Sequence, residues 1–188
     1  MHRTPILNAL ARYAHRHPDE DAVTARFAEF IRTERRCFER NCWAGHVTGS
    51  AWLVDGAGRH VLLTHHKKLG RWLQLGGHSD GDPDSLGVAL REAVEESGLS
   101  VDPVWRDPFD LDIHPIPPRG TDPEHFHFDV RYALRVRASE TFALSDESHE
   151  LAWVPIADVK SVTDEASILR MTRKWLTASC SRGPTKAR

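Results

Sequence analysis

The chain has 188 residues, of which 40% are hydrophobic and 28% are charged, and its formal net charge is −2. This length suits one domain with additions and does not require a second domain. The near-neutral charge excludes a strong electrostatic attraction to nucleic acid or to a membrane surface, so neither is expected as a partner. No apolar run approaches the roughly 20 residues that span a bilayer.

The cysteines and the first residues bear on the cellular compartment. Cys37, Cys42 and Cys180 are an odd set without disulfide spacing, and the N-terminal residues lack a secretory segment. Both features favour the reducing cytoplasm. An alternative use of two of these thiols is a metal site formed by Cys37, Cys42 and His46.

Residues 1–44 are predicted to form an N-terminal helical extension. Apolar residues recur at helical spacing from Ile6 to Ala14, and His17-Pro18 ends that helix. A second helix is predicted after Asp19, with its apolar face continuing to Phe38. The extension is expected to pack on the rest of the chain, with homodimer formation as the alternative.

From Gly45 the pattern changes to strands. A β-hairpin is predicted around the turn DGAG, and a glycine-rich loop follows it. A broken strand, a long alternating strand and a last strand are predicted after the central helix. In order, these segments are 46–55 and 59–66 (hairpin), 67–84 (loop), 100–116, 125–138 and 150–159 (strands), and 161–188 (a C-terminal helix from Asp164 through Leu176 and a flexible tail).

The central helix carries a group of carboxylates. Glu92, Glu95 and Glu96 have i, i+3 and i+4 spacing and are expected to share one patch. Their mutual repulsion is relieved if a hard divalent cation, Mg²⁺ or Mn²⁺, binds among them. Asp82 is predicted as the N-cap with Pro83 in the first turn, and Gly98 is predicted to end the helix. The residues expected to face the core are Leu86, Leu90, Ala93, Val94 and Ser97.

These residues resemble the signature of the Nudix hydrolases, G-x5-E-x7-R-E-U-x-E-E-x-G-U with U apolar. The matching positions are Gly77, Arg91, Glu92, Ala93, Glu95, Glu96, Gly98 and Leu99. Pro83 replaces the first glutamate of the pattern, with Asp82 and Asp84 as its neighbours. Either aspartate is a candidate substitute for the missing carboxylate.

The resemblance implies a fold and a reaction. The fold is an α/β/α sandwich with a mixed sheet, over residues 45–160, with an N-terminal helical extension and a C-terminal helix added. The reaction is Mg²⁺-dependent hydrolysis of a diphosphate bond in a nucleoside diphosphate linked to another group, a small-molecule substrate. A non-catalytic nucleotide- or protein-binding module with the same fold is the alternative.

The resemblance also implies roles for individual residues. The metal would be held by Glu92, Glu95, Glu96 and the carbonyl of Gly76. Arg91 would orient a glutamate, and its plain alternative is a surface ion pair. The general base is left open between Glu92, Glu147 and Glu150.

The chain has 12 histidines, and several lie near one another in the sequence. His78, Arg119, His125 and His127 are predicted to contact a phosphate or sugar, and Trp72 or Phe126 to stack on a base. On the alternating strand, His125, His127, Asp129 and Arg131 form a polar face opposite a core face. A competing hypothesis is a zinc site made by His125, His127 and Asp129.

Overall fold

The computed structural model describes residues 2–66, 70–142 and 148–180. Its helices are α1 (Thr4–Arg16), α2 (Asp21–Thr33), α3 (Ser85–Ser97), α4 (Val159–Val162) and α5 (Ala166–Cys180). Its strands are β1 (His46–Val54), β2 (His60–His66), β3 (Arg71–Leu73), β4 (Leu75–His78), β5 (Val101–Pro103), β6 (Asp110–Ile116), β7 (His125–Val136) and β8 (Ser148–Pro155). None of the helices in these ranges is long and apolar enough to cross a bilayer.

Strand β1 is the centre of one mixed sheet, which contains all the strands just named. It pairs in parallel with β7 along its whole length, from His46 opposite His127 to Val54 opposite Arg135. On its other edge it pairs antiparallel with β4, and with β2 at Val54 and Val61. The outer side of β7 pairs with β5 and β6, and β2 also pairs with β3 and β8.

The hairpin and the glycine-rich loop differ in part from the sequence prediction. The strands β1 and β2 do follow each other antiparallel, but their register consists of one residue pair. The rest of that edge of β1 is taken by β4, which lies inside the predicted loop 67–84 together with β3. Two of the four residues of β4 are glycines, so this strand lacks the alternating hydrophobic pattern from which a strand is predicted.

Helices cover both faces of the sheet, which confirms the predicted α/β/α sandwich. Apolar residues of α1, α2 and α3 pack on one face, against Val47, Ala51 and Leu53 of β1. Apolar residues of α5 pack on the other face, against Trp52 and Val54. Because successive residues of a strand point to opposite faces, β1 contributes to both cores.

The N-terminal helices pack on the sheet. The ring of Phe30 stacks on that of Phe128 at 3.8 Å between centroids, and Phe27 meets the same ring edge-on at 5.3 Å. Helix α2 ends at Thr33 and does not reach Phe38 as predicted. The Arg3 guanidinium donates to the carbonyls of Ile31 and Glu34 and so satisfies oxygens at this helix end.

The polar face of β7 is buried, which the sequence prediction of one core face and one polar face did not anticipate. Asp129 and Arg131 are each 2% exposed. They form an ion pair at 2.7 Å, and Arg131 also contacts Asp110 and Asp112. These opposite charges satisfy one another, so α5 can pack over this half of the sheet.

The predicted last strand and C-terminal helix are both present, but they begin or end at different residues. Strand β8 and a short 3₁₀ turn at Ile156–Asp158 occupy the predicted last strand. Helix α5 continues to Cys180, past the predicted end at Leu176. The remainder of the predicted flexible tail, 181–188, lies outside the described residues.

Candidate active site

Helix α3 is held by definite signals at both ends. Its N-cap is Asp84, whose carboxylate accepts from the Gly87 N–H at 3.1 Å. The predicted cap, Asp82, is wrong: its carboxylate accepts from the Asp84 N–H one turn earlier. The predicted end is confirmed, because Gly98 adopts the left-handed conformation with φ of 70°.

The face of α3 that packs on the sheet is rotated relative to the predicted stripe. Leu86, Ala93 and Ser97 are buried as predicted, but Val94 is 45% exposed and Leu90 is half-buried. Their places are taken by fully buried Val88 and Ala89. The rotation turns the Glu92 side of the helix toward β4.

Glu92 and Glu96 lie against the glycine pair of β4. A Cβ atom at Gly77 would lie 2.6 Å from the Cδ of Glu92, so the carboxylate fills the space that a side chain would take. Glu96 accepts a hydrogen bond from the Gly76 N–H at 2.7 Å. The two signature glutamates and the two glycines therefore form one surface.

Arg91 is surrounded by acidic groups. Its guanidinium lies 3.3 Å from the carboxylate of Glu92, 3.8 Å from that of Asp82 and 4.0 Å from that of Glu95. It also donates to the carbonyl of His78 at 3.1 Å. Arg91 thus links the helix, strand β4 and the turn that precedes the helix.

Glu95 stands apart from the other two glutamates. Its side chain is 62% exposed, whereas that of Glu92 is 18% exposed. Within the described ranges, the three carboxylates do not converge to within 4.8 Å of one another. The candidate metal ligands on the surface formed by Glu92, Glu96 and the glycine pair are all oxygen atoms. This set of ligands fits a hard cation such as Mg²⁺ or Mn²⁺.

A second group of polar residues lies on the other face of the sheet. Gly77 faces Glu92, and the next residue of β4, His78, therefore points the opposite way. Its ring lies 5.1 Å from that of His46 and 5.2 Å from that of His127. His125 and His114 also belong to the group: the ring of His125 lies 4.9 Å from that of His46, and the ring of His114 lies 5.4 Å from that of His127.

Burial keeps two of these imidazoles neutral. It lowers the pKa of His127 to about 2 and that of His46 to about 4, and the neighbouring histidines lower both further in the same direction. Uncharged imidazoles attract a phosphate only weakly. The contact of His127 with a phosphate stays a sequence prediction.

The other predicted substrate-binding residues are not part of this group. The Trp72 ring packs beside His65 at 5.3 Å between centroids, at the sheet edge formed by β2 and β3. Arg119 is exposed, and its main chain pairs with that of Asp122. The Phe126 ring lies under the guanidinium of Arg26, at 4.8 Å. These side chains belong to three separate places on the molecule.

Two later carboxylates, Glu147 and Glu150, are also predicted as candidates for the general base. Glu150 is exposed on β8, opposite His65 of β2. Glu147 lies outside the described residues.

The residues of two metal hypotheses from the sequence are grouped differently in the structure. Asp129 is not a partner of His125 and His127, because its carboxylate accepts from Thr48, Ser50 and Arg131. The described residues also contain no cluster of Cys37, Cys42 and His46 with ligand atoms within 4.8 Å. His46 instead joins His125 and His127, which sequence reasoning missed because the pairing of His46 with His127 depends on the parallel register of β1 and β7.

Comparison with known proteins gives the family. The model of the NUDIX domain family matches residues 45–176, and the chain belongs to this family. This membership supports hydrolysis of pyrophosphate bonds as the general reaction class and divalent metal ions as general cofactors. No curated protein sequence matches the chain.

Solved structures share the fold at low sequence identity. A NUDIX-family hydrolase from Clostridium perfringens is 23% identical, with a TM-score of 0.57, over 71% of this chain and 97% of its own. An Ap4A hydrolase from C. elegans is 18% identical, with a TM-score of 0.54, over 72% and 98%. The NUDIX domain of Shewanella oneidensis NrtR, complexed with ADP ribose, is 18% identical, with a TM-score of 0.52, over 81% and 97%.

Proposed function

We propose that the protein is a Mg²⁺-dependent hydrolase that cleaves a diphosphate linkage in a nucleoside diphosphate derivative by attack of water at phosphorus. The observation that carries this proposal is the surface formed by Glu92 and Glu96 against Gly76 and Gly77. It combines carboxylate oxygens with the exposed main chain of Gly76. These are the features needed to bring a diphosphate and a cation together.

The bound metal would neutralise the diphosphate charge and lower the pKa of a coordinated water. Glu92, Glu95, Glu96 and the carbonyl of Gly76 are the residues proposed to hold it, and Mn²⁺ is the alternative ion. Glu95 lies 4.0 Å from Arg91 and is exposed, so it would have to turn toward the other two. Its exposure leaves that rotation unobstructed.

Arg91 is proposed as a positioning residue. Its contacts with Glu92 and with the His78 carbonyl fix the helix relative to β4. Asp82, at 3.8 Å from Arg91, stands in for the signature glutamate that Pro83 replaces. The exposed ion pair alone would be worth little, but the added contact with a main-chain carbonyl gives it a definite geometry.

Glu92 is proposed as the general base. It is the carboxylate nearest to Gly77, and it has a cationic neighbour in Arg91 that keeps it available as an acceptor. Glu150 is the alternative base, and Glu147 remains a sequence prediction. Single Gln substitutions at these three positions separate them when the Mg²⁺ dependence is measured as well. Loss of the base lowers kcat with little change in KM, whereas loss of a metal ligand also raises the Mg²⁺ concentration needed for activity.

The substrate class is tested with a panel assayed in Mg²⁺: dinucleoside polyphosphates, nucleotide sugars including ADP-ribose, nucleoside triphosphates and non-nucleotide diphosphates. The panel includes Ap4A because an Ap4A hydrolase shares the fold. We expect one class to be cleaved and the Glu96→Gln variant to lose at least about 100-fold in kcat, the scale of a lost positioning or electrostatic contact. Product masses identify the bond that is broken.

Exposed Glu29 of α2 offers a matched control, and Glu29→Gln should retain full activity. If no member of the panel is cleaved in Mg²⁺ or Mn²⁺ while nucleotides still bind, the hydrolase proposal fails. The chain would then be a binding module with the same fold.

We also propose a cytoplasmic location. The support is the state of Cys37 and Cys42, which are buried as free thiols only five positions apart in the sequence. Unpaired thiols are typical of a reducing compartment.

A further inference from the structure

We propose that His46, His125 and His127 form a binding site for one zinc ion. The ligand nitrogens of these three side chains lie within 4.8 Å of one another. In a tetrahedral site with Zn–N distances of 2.0–2.1 Å the nitrogens are about 3.3 Å apart, so small side-chain rotations bring them to a common ion. The site would be separate from the glutamates and independent of the proposed hydrolytic function.

The burial of the ring nitrogens is the first argument for a ligand. His46 is 1% exposed, and within the described part of the chain its ring nitrogens lack a well-formed hydrogen bond, with the main chain of Cys42 as the neighbouring polar group. The Nε2 atom of His127 is also buried without a hydrogen-bond partner among these residues. Buried polar atoms are normally satisfied, so several orphaned nitrogens in one cluster indicate a group that they bind.

The tautomer of His125 is the second argument. Its Nδ1 lies 2.8 Å from the carbonyl oxygen of Pro123, which can only accept a hydrogen bond. Nδ1 therefore carries the proton, and Nε2 has its lone pair free for an ion. This arrangement, with one ring nitrogen donating to a carbonyl and the other binding, is the usual one for histidine ligands of a metal.

The chemistry of the side chains favours a cation over an anion. A neutral imidazole offers a lone pair on one ring nitrogen, and three such side chains have ligand nitrogens within 4.8 Å of one another here. A phosphate site would need protonated rings or another cation. The geometry thus favours a cation.

The donor atoms decide between metals. Three imidazole nitrogens suit zinc and related transition metals, whereas the oxygens of Glu92 and Glu96 suit Mg²⁺. The two sets lie on opposite faces of β4. Three histidines leave one tetrahedral position for water, and the exposed Trp43 ring lies 5.7 Å from that of His125.

Zinc and cobalt binding to the full-length protein tests the proposal. The protein is treated with a chelator, exchanged into excess Mg²⁺ and titrated with Zn²⁺, with bound metal measured by elemental analysis. We expect one zinc per chain, and intense visible absorption when Co²⁺ replaces it. The His125→Asn and His127→Asn variants should bind zinc at least about 100-fold more weakly. Even the loss of a residue that only hydrogen-bonds to a metal ligand lowers metal affinity by about 10–100-fold.

Two further variants locate the ion. His15→Asn, at an exposed position of α1, should bind zinc normally, and so should Glu96→Gln. Visible cobalt bands of the low intensity typical of octahedral coordination, retention of zinc by His127→Asn, or loss of zinc in Glu96→Gln would each overturn the proposal. Because the cobalt spectrum and the rise in Tm on adding zinc are measured on the unmodified protein, a variant that fails to fold does not block the test. Hydrolytic activity has no part in the outcome.

Discussion

At the residue scale, Gly77 controls where the Glu92 carboxylate can lie. The carboxylate occupies the position of a missing side chain, with its Cδ 2.6 Å from where a Cβ would be. The signature glycine is thus required at this position for the room it leaves. The sequence pattern alone does not say why a glycine stands there.

The Gly77→Ala variant should lose activity with little loss of stability. The new methyl group displaces the end of a flexible side chain, so the free energy of unfolding should change by less than about 1 kcal/mol. A shift of Glu92 by about 1 Å should lower kcat about 100-fold. Steady-state kinetics and urea denaturation measure the two effects.

The control for this variant is Gly56, a glycine with room for a methyl group. In Gly56→Ala the nearest atom to the new Cβ, Glu140 Oε1, is 3.5 Å away, which is an ordinary contact. Both kcat and stability should stay close to those of the unmodified protein. Full activity of Gly77→Ala would remove Glu92 from the proposed mechanism.

At the element scale, the start of α3 depends on which aspartate reaches the first free N–H groups. A capping carboxylate must accept from an N–H in the first turn of the helix. Asp84 does so at Gly87, the third helical residue, whereas Asp82 accepts from the N–H of Asp84, which precedes the helix, and lies beside Arg91. The two aspartates around Pro83 thus have different tasks.

Asp84→Ala should lower the free energy of unfolding by about 1 kcal/mol, the usual effect of losing an N-cap. Asp82→Ala should lower it by less than half as much, because its contact with Arg91 is long and partly exposed. Urea denaturation of both variants gives the comparison. An equal or larger loss in Asp82→Ala would show that the predicted cap is the working one.

At the scale of the whole molecule, a buried ion network joins parts that are distant in sequence. Asp110 of β6 is fully buried and pairs with Arg131 of β7 and with Arg170 and Lys174 of α5. Lys174 also pairs with Glu20, between α1 and α2. The arginines and the lysine hold the pKa of Asp110 below its usual value, against the effect of burial. The N-terminal extension, the sheet and α5 are thereby held together.

Arg170→Met should destabilise the protein by about 2 kcal/mol, because it removes the two hydrogen bonds of Arg170 to buried Asp110 and leaves that carboxylate with Arg131 and Lys174. Arg173→Met, three residues further along α5 at an exposed position, should change stability by about 0.5 kcal/mol or less. Thermal and urea unfolding measure both. Equal effects of the two substitutions would mean that the network adds nothing to stability.

The sequence by itself determined the parts that depend on local spacing. The position of the central helix, its end at Gly98 and the grouping of Glu92 and Glu96 follow from 3.6 residues per turn and from glycine's freedom in the left-handed region. The family signature identified the fold class, since the match extends beyond a single element. These features need no knowledge of distant contacts.

The tertiary structure decided what depends on residues far apart in the chain. The register of β1 against β7 places His46 beside His127, and the ion pairs of Asp129 and Arg131 allow α5 to bury a face that reads as polar. Strand β4 forms because β1 offers it an edge, although its glycines have no strand pattern. Long-range pairing and burial are set by which surfaces meet, and periodicity along a single strand or helix carries no information about that.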